Sequence, residues 1–167
     1  MPPVGLFYEL DFRVKGVDFS AGGDIFTVYL GDAANEAIKN AIPRISFSQE
    51  KNGKAYIMLY DSVKEIGRSM EFNGRWHNIQ VLMDNANDQI SVYLDGKLLL
   101  ENVPRDSMAY FSAAISFSVG PNHSADVDID DVSVSAFYSL EDKNQWIRLF
   151  SEDFERFNME NGLDKYE

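Results

Sequence analysis

The chain of 167 residues contains no cysteine. That absence excludes disulfides, thiolate zinc sites and a cysteine nucleophile. It leaves the compartment open, because many exported bacterial β proteins also lack cysteine. Histidine is almost as scarce. Only His77 and His123 are present, far apart in sequence, so a multi-histidine metal site is excluded and a Ser-His-Asp triad has few ways to form. Positive charge is also in short supply: 15 Lys and Arg stand against 27 Asp and Glu, a formal net of -12. Such a surface repels phosphate backbones and anionic lipid, so nucleic acid is not an expected partner. No apolar run approaches the roughly 20 residues that span a bilayer, and no membrane insertion is expected. Met1-Pro2-Pro3 followed by a strand-like segment does not read as a signal peptide. The expectation is therefore either a cytosolic protein or a leader that lies outside this chain.

What the sequence does have is period-two alternation broken by turn residues, the signature of half-buried strands. Leu6, Tyr8, Leu10, Phe12 and Val14 share one face of a first strand, and Phe7, Glu9, Asp11 and Arg13 share the other. Further strands are predicted over 24–30, 44–48, 54–60, 68–72, 76–83, 89–94, 97–101, 110–119 and 126–137. Asn52-Gly53 and Asp95-Gly96 are two-residue hairpin signals. About ten strands with turns every eight to twelve residues predict an all-β fold, a two-sheet antiparallel sandwich or a barrel. Helical signal is confined to 33–40 and 139–144. Within 126–137 the parity changes. Val127 and Ile129 are in phase, as are Val132 and Val134, but the two pairs are out of phase with one another. A β-bulge at Asp130-Asp131 would return both pairs to one face. The tail, with Trp146, Ile147, Leu149, Phe150, Phe154 and Phe157, is too apolar for a frayed end. The predicted organisation is a sandwich over 1–138, a strand-like segment over 139–157 that docks on it or opens a following module, and an acidic frayed tail over 158–167.

The run Asn73-Gly74-Arg75-Trp76-His77-Asn78-Ile79-Gln80-Val81, followed by Gln89-Ile90-Ser91-Val92-Tyr93-Leu94-Asp95-Gly96-Lys97, resembles the laminin-G-like branch of the concanavalin A-like lectin/glucanase superfamily. The resemblance implies a jelly roll with the hairpin from Trp76 to Lys97 at its centre and a closing strand at Ile129 to Val134. Phe150 to Glu155 looks like the opening strand of such a domain, yet it stands at the C-terminal end. It could fill the missing first-strand slot of this domain, fill that slot in a neighbouring chain and so build a homo-oligomer, or begin a second module. Trp76 is expected between the sheets, as a large rigid core side chain. His77, in phase with Ile79 and Val81, is expected to be packed or at the rim.

The superfamily's glucanases carry Glu-x-Asp-x-x-Glu on one strand, and a retaining mechanism needs two carboxylates about 5 Å apart. Here Glu9-Leu10-Asp11 supplies the first two positions, but the third is Val14. Glu9, Asp11 and Arg13 are instead expected to form a solvated strand face with cross-strand pairing. No other residues nominate a nucleophile or base. The resemblance without a catalytic set implies a module that is not an enzyme, part of a larger extracellular or cell-surface protein, binding glycan or a cell-surface protein. A glycosidase-type domain and a purely structural assembly module are the other readings. Sugar-binding sandwiches often hold a structural calcium, which takes hard oxygen ligands in number. Asp128, Asp130 and Asp131, near Asp126, could form such a site with Glu152, Asp153 and Glu155 of the tail, or all could form a solvated acidic edge. Tyr8, Tyr29, Tyr56, Tyr60, Tyr93, Tyr110 and Tyr138 are available as sugar platforms, and the alternation does not choose among them.

Overall fold

The computed structural model describes residues 3–15, 23–31, 33–34, 42–49, 55–61, 64–69, 74–105, 114–119 and 126–152. Eleven strands are present among them: β1 (Gly5–Lys15), β2 (Gly23–Tyr29), β3 (Arg44–Gln49), β4 (Ala55–Asp61), β5 (Lys64–Ser69), β6 (His77–Asp84), β7 (Gln89–Leu94), β8 (Lys97–Pro104), β9 (Ser116–Val119), β10 (Asp126–Phe137) and β11 (Trp146–Glu152). They form two antiparallel sheets. One has six strands in the order β11-β10-β1-β6-β7-β8, the other five in the order β5-β4-β3-β2-β9. The predicted sandwich is what the structure holds. The fifth strand lies at Lys64–Ser69 rather than over 68–72. The Asn52-Gly53 turn, Tyr110, the sequon Asn122-His123-Ser124 and residues 35–40 of the first helical signal lie outside the described residues. The second helical signal becomes a single 3₁₀ turn at Lys143–Gln145.

The core sits between the sheets and follows from the alternation. Leu6, Tyr8, Leu10, Phe12 and Val14 of β1 are buried against Phe26 and Val28 of β2, Ile45 and Phe47 of β3, and Ile79, Val81 and Met83 of β6. Burying each such side chain contributes about 1.5–3 kcal/mol, and Phe12 on Phe47, at 4.5 Å between ring centres, joins the two layers. His77 is buried in line with Ile79 and Val81, with its ring beside Phe12. Gly5 lies where a Cβ would collide with the Met83 carbonyl and the Phe137 ring, so the first residue of β1 has no room for a side chain.

The predicted bulge is present. Glu9 pairs with Ser133 and Asp11 with Asp130, so β10 carries one residue more than β1 between those rungs. Asp131 absorbs it in a left-handed conformation, φ 48°. Val132 and Val134 are buried, and Val127 and Ile129 pack against the same core. Asp95 and Gly96, with φ values of 50° and 74°, make the tight turn between β7 and β8.

β11 pairs antiparallel with β10 of the same chain, from Phe137 opposite Trp146 to Val132 opposite Glu152. Trp146 anchors it. Its ring stacks on Phe137 at 5.1 Å and tilts against Phe7 at 5.4 Å, and its Nε1 donates to the Ser139 carbonyl at 2.9 Å.

Candidate functional site

Because the even-numbered residues of β1 turn inward, the odd-numbered ones face out from the middle of the six-stranded sheet. β1 lies between β10 and β6, so its outward side chains meet neighbours that are remote in sequence. Glu9 is opposite Gln80, and Asp11 is opposite Asn78. Asn78 Nδ2 donates to Asp11 Oδ1 at 2.7 Å and to Glu9 Oε1 at 3.2 Å. Gln80 Nε2 donates to Glu9 Oε1 at 2.8 Å. The expected cross-strand pairing of this face is therefore present, and it orients both amides. With their N–H groups turned to the carboxylates, the amide oxygens are left as acceptors.

This row floors a polar cleft of about 230 Å³ lined by Glu9, Asp11, Asn78, Asp131, Ser133, Arg148 and Ser151. Beside it, on the same open face, lies a second groove of about 340 Å³. Its walls are Phe7, Gln80, Leu82, Tyr93, Leu140, Lys143 and Trp146. Gln80 bonds Glu9 on one side and lines the groove on the other. Of the tyrosines, Tyr93 is the one that lines this groove. Tyr8 and Tyr56 are buried, and Tyr60 lies under the Arg44 guanidinium at 4.4 Å. Trp146 shapes the groove but is held in place by Phe137 and by Lys143, whose Nζ stands 3.5 Å from the ring centre.

Trp76 corrects an expectation. It is 45% exposed rather than buried between the sheets. His77 takes the inward position, so its neighbour must face outward. The Arg13 guanidinium lies 4.8 Å from the Trp76 ring centre and also bonds Asp128, with Nε at 2.8 Å and an Nη at 2.6 Å from Oδ2.

One hydrogen-bond cluster sets the near end of β6. The Asp95 carboxylate accepts from the Asn78 backbone N–H at 2.9 Å and bonds His77 Nδ1 at 2.8 Å. Burial works against this charged carboxylate. The bonds from His77 and Asn78, with the charges of His77 and Arg75, outweigh it and hold Asp95 below the usual carboxylate range. The turn residue thus fixes the backbone of Asn78, whose amide reaches into the cleft.

Of the residues expected around calcium, Asp128, Asp130, Asp131 and Glu152 are described with their side chains. Asp128 is bound to Arg13, and Asp130 sits in the ladder opposite Asp11. Asp131 lines the cleft. Glu152 ends β11, one residue beyond the cleft-lining Ser151. Asp153 and Glu155 lie outside the described residues, as does the Asp126 side chain. Among the described residues no three His, Cys, Asp or Glu side chains gather closely enough to hold a metal ion.

No protein-family model matches the chain, and no curated protein matches it. Solved structures do. The alginate lyase Aly36B in complex with an alginate tetrasaccharide is 15% identical over 80% of this chain and 70% of its own, with a TM-score of 0.50. An alginate lyase from Pseudomonas aeruginosa is 13% identical over 80% of this chain and 65% of its own, at 0.49. The carbohydrate-binding module CBM66 from Bacillus subtilis is 14% identical over 80% and 76%, at 0.47. The fold is a concanavalin A-like jelly roll. At these identities the likeness shows the jelly roll and nothing finer.

It does overturn one expectation, that the chain is not an enzyme. An enzyme, the alginate lyase Aly36B, is among the structures that share this jelly roll. The reason the expectation fails is chemical. The missing Glu-x-Asp-x-x-Glu strand removes one set of catalytic groups, and jelly rolls carry other sets on the same scaffold. Asn78, Gln80 and Arg148 were not singled out from the sequence as site residues. Their outward parity was readable, but their meeting with Glu9 and Asp11 depends on the strand order.

Proposed function

We propose that the open face of the six-stranded sheet is a carbohydrate-recognition surface. The observation that carries this reading is the presence, on one sheet face, of a hydrogen-bonding cleft and a largely apolar groove joined by the bond from Gln80 of the groove to Glu9 of the cleft. Sugars present hydroxyls on their edges and CH groups on their faces, and a site for them needs planar polar groups beside an aromatic surface. Glu9, Asp11, Asn78, Gln80 and Arg148 would meet the hydroxyls, and Tyr93 with Phe7 and Leu82 the CH faces. Carbohydrate-binding and carbohydrate-cleaving proteins among the jelly rolls of similar structure support the same direction. The reading implies an extracellular or cell-surface setting, where extended glycans are met.

The test is a broad oligosaccharide panel followed by calorimetry on the hits, with each hit also incubated and analysed for shortened or unsaturated products. Binding that Tyr93→Ala and Asn78→Ala both weaken by about tenfold or more, roughly 1.4 kcal/mol each, is expected. Silence across the panel would sink the proposal. Product formation would show that the same face also carries chemistry.

A further inference from the structure

We infer that this face discriminates by charge: it takes glycans whose hydroxyl and amino groups donate hydrogen bonds, and it excludes polyuronates. The inference rests on the carbohydrate reading of the same cleft and names the class of ligand. Its basis is the balance of donors and acceptors. Asn78 Nδ2 donates to Glu9 Oε1 and Asp11 Oδ1, and one N–H of Gln80 donates to Glu9 Oε1. What the row offers to a ligand is therefore mostly acceptors, the second oxygen of each carboxylate and the two amide oxygens, beside the second N–H of Gln80. Among the described residues three carboxylates line the cleft, Glu9, Asp11 and Asp131, against one cation, Arg148, with the hydroxyls of Ser133 and Ser151. The whole molecule adds to the field with its net of -12. A uronate carboxylate entering here would meet like charge in a walled cleft, where repulsion is less screened than in open water. A hydroxyl finds acceptors, and an ammonium finds acceptors and opposite charge.

Geometry extends the argument from a single sugar to a chain. From Arg13 to Phe7 the outward side chains of β1 span six residue steps, or about 20 Å at the usual rise. The exposed Trp76 ring lies beside Arg13 at one end, and Phe7 belongs to the Tyr93 groove at the other. The acceptor row lies between two apolar ends, an arrangement that suits several consecutive sugar rings.

The experiment is calorimetry of the intact chain with hexasaccharides of three series, neutral, amino-bearing and uronate, each in several linkages. Titrations are run at low and at physiological salt, on the native chain and on the double variant Glu9→Gln/Asp11→Asn, whose folding is verified by its melting curve. At low salt the amino series is expected to bind tightest, and the uronate series at least about tenfold weaker than the neutral one. The double variant should narrow the ratio of neutral to uronate affinity, whatever it costs each series in absolute binding. Uronates binding as tightly as neutral glycans would overturn the inference and leave the carbohydrate reading standing. A gap unchanged in the double variant would also overturn it, because the selectivity would then arise elsewhere. Failure of all three series would dispose of the carbohydrate reading itself.

Discussion

Trp76 and His77 are neighbours in sequence and lie on opposite faces of the same sheet. His77 shares parity with Ile79, Val81 and Met83 and goes into the core, so Trp76 goes out. The expectation of a core tryptophan gave weight to side-chain size, although the parity of β6 already pointed outward. Two residues next to this face give sharp tests. Asp95 has its carboxyl held below the usual range. A group with a depressed folded-state value adds stability that is complete above its unfolded value, near 3.9, and is lost as pH falls through the lower folded value. Asp95→Asn should therefore flatten the loss of melting temperature below about pH 4 relative to the native chain, with the two curves running parallel at neutral pH. A variant that loses stability in acid as steeply as the native chain would count against the Asp95 cluster. Gly5 offers the second test. An added methyl meets the Met83 carbonyl and the Phe137 ring, so Gly5→Ala should cost about 1–3 kcal/mol by overpacking, read from urea melts.

At the scale of elements, β10 shows what could be read from the chain and what could not. Its out-of-phase valines announced a bulge, and Asp131 carries it at φ 48°. Asp tolerates that region better than most side chains, and a β-branched residue tolerates it poorly. Asp131→Val should lower stability by about 1–2 kcal/mol, whereas Asp131→Gly should cost nothing in a urea melt. Equal losses in both variants would mean that the carboxylate rather than the backbone carries the effect. Strand identity, the hairpin at Asp95-Gly96 and the outward set Glu9, Asp11 and Arg13 were legible because they depend on local parity and turn chemistry. The order β11-β10-β1-β6 was not, since non-consecutive neighbours leave no mark in a local pattern. That order is what brings Asn78 and Gln80 of β6 and Arg148 and Ser151 of β11 around two carboxylates of β1. The candidate site was thus half visible: its acids were on the page, and their partners awaited the topology. The tail is a case between the two. Its apolar residues marked it as a strand, but its ladder on β10 leaves no mark in a local pattern.

For the whole molecule the governing quantity is the charge of -12. Excess like charge destabilises a compact state by self-repulsion, which salt relieves. The ion pairs seen at the surface, such as Arg13–Asp128 and Arg68–Glu65, work the other way, since salt weakens them, but exposed pairs of this kind are worth little. Raising sodium chloride from about 10 mM to about 150 mM shortens the screening length from roughly 30 Å to roughly 8 Å. The melting temperature should therefore rise over that range. If it fell, local pairing would outweigh net repulsion, and the field invoked for the cleft would be weaker than the formal charge implies. The same salt step should weaken binding of an amino-bearing oligosaccharide, because there the protein's charge attracts. One variable thus moves stability and affinity in opposite directions, and a neutral oligosaccharide, which feels neither attraction nor repulsion, should keep its affinity throughout.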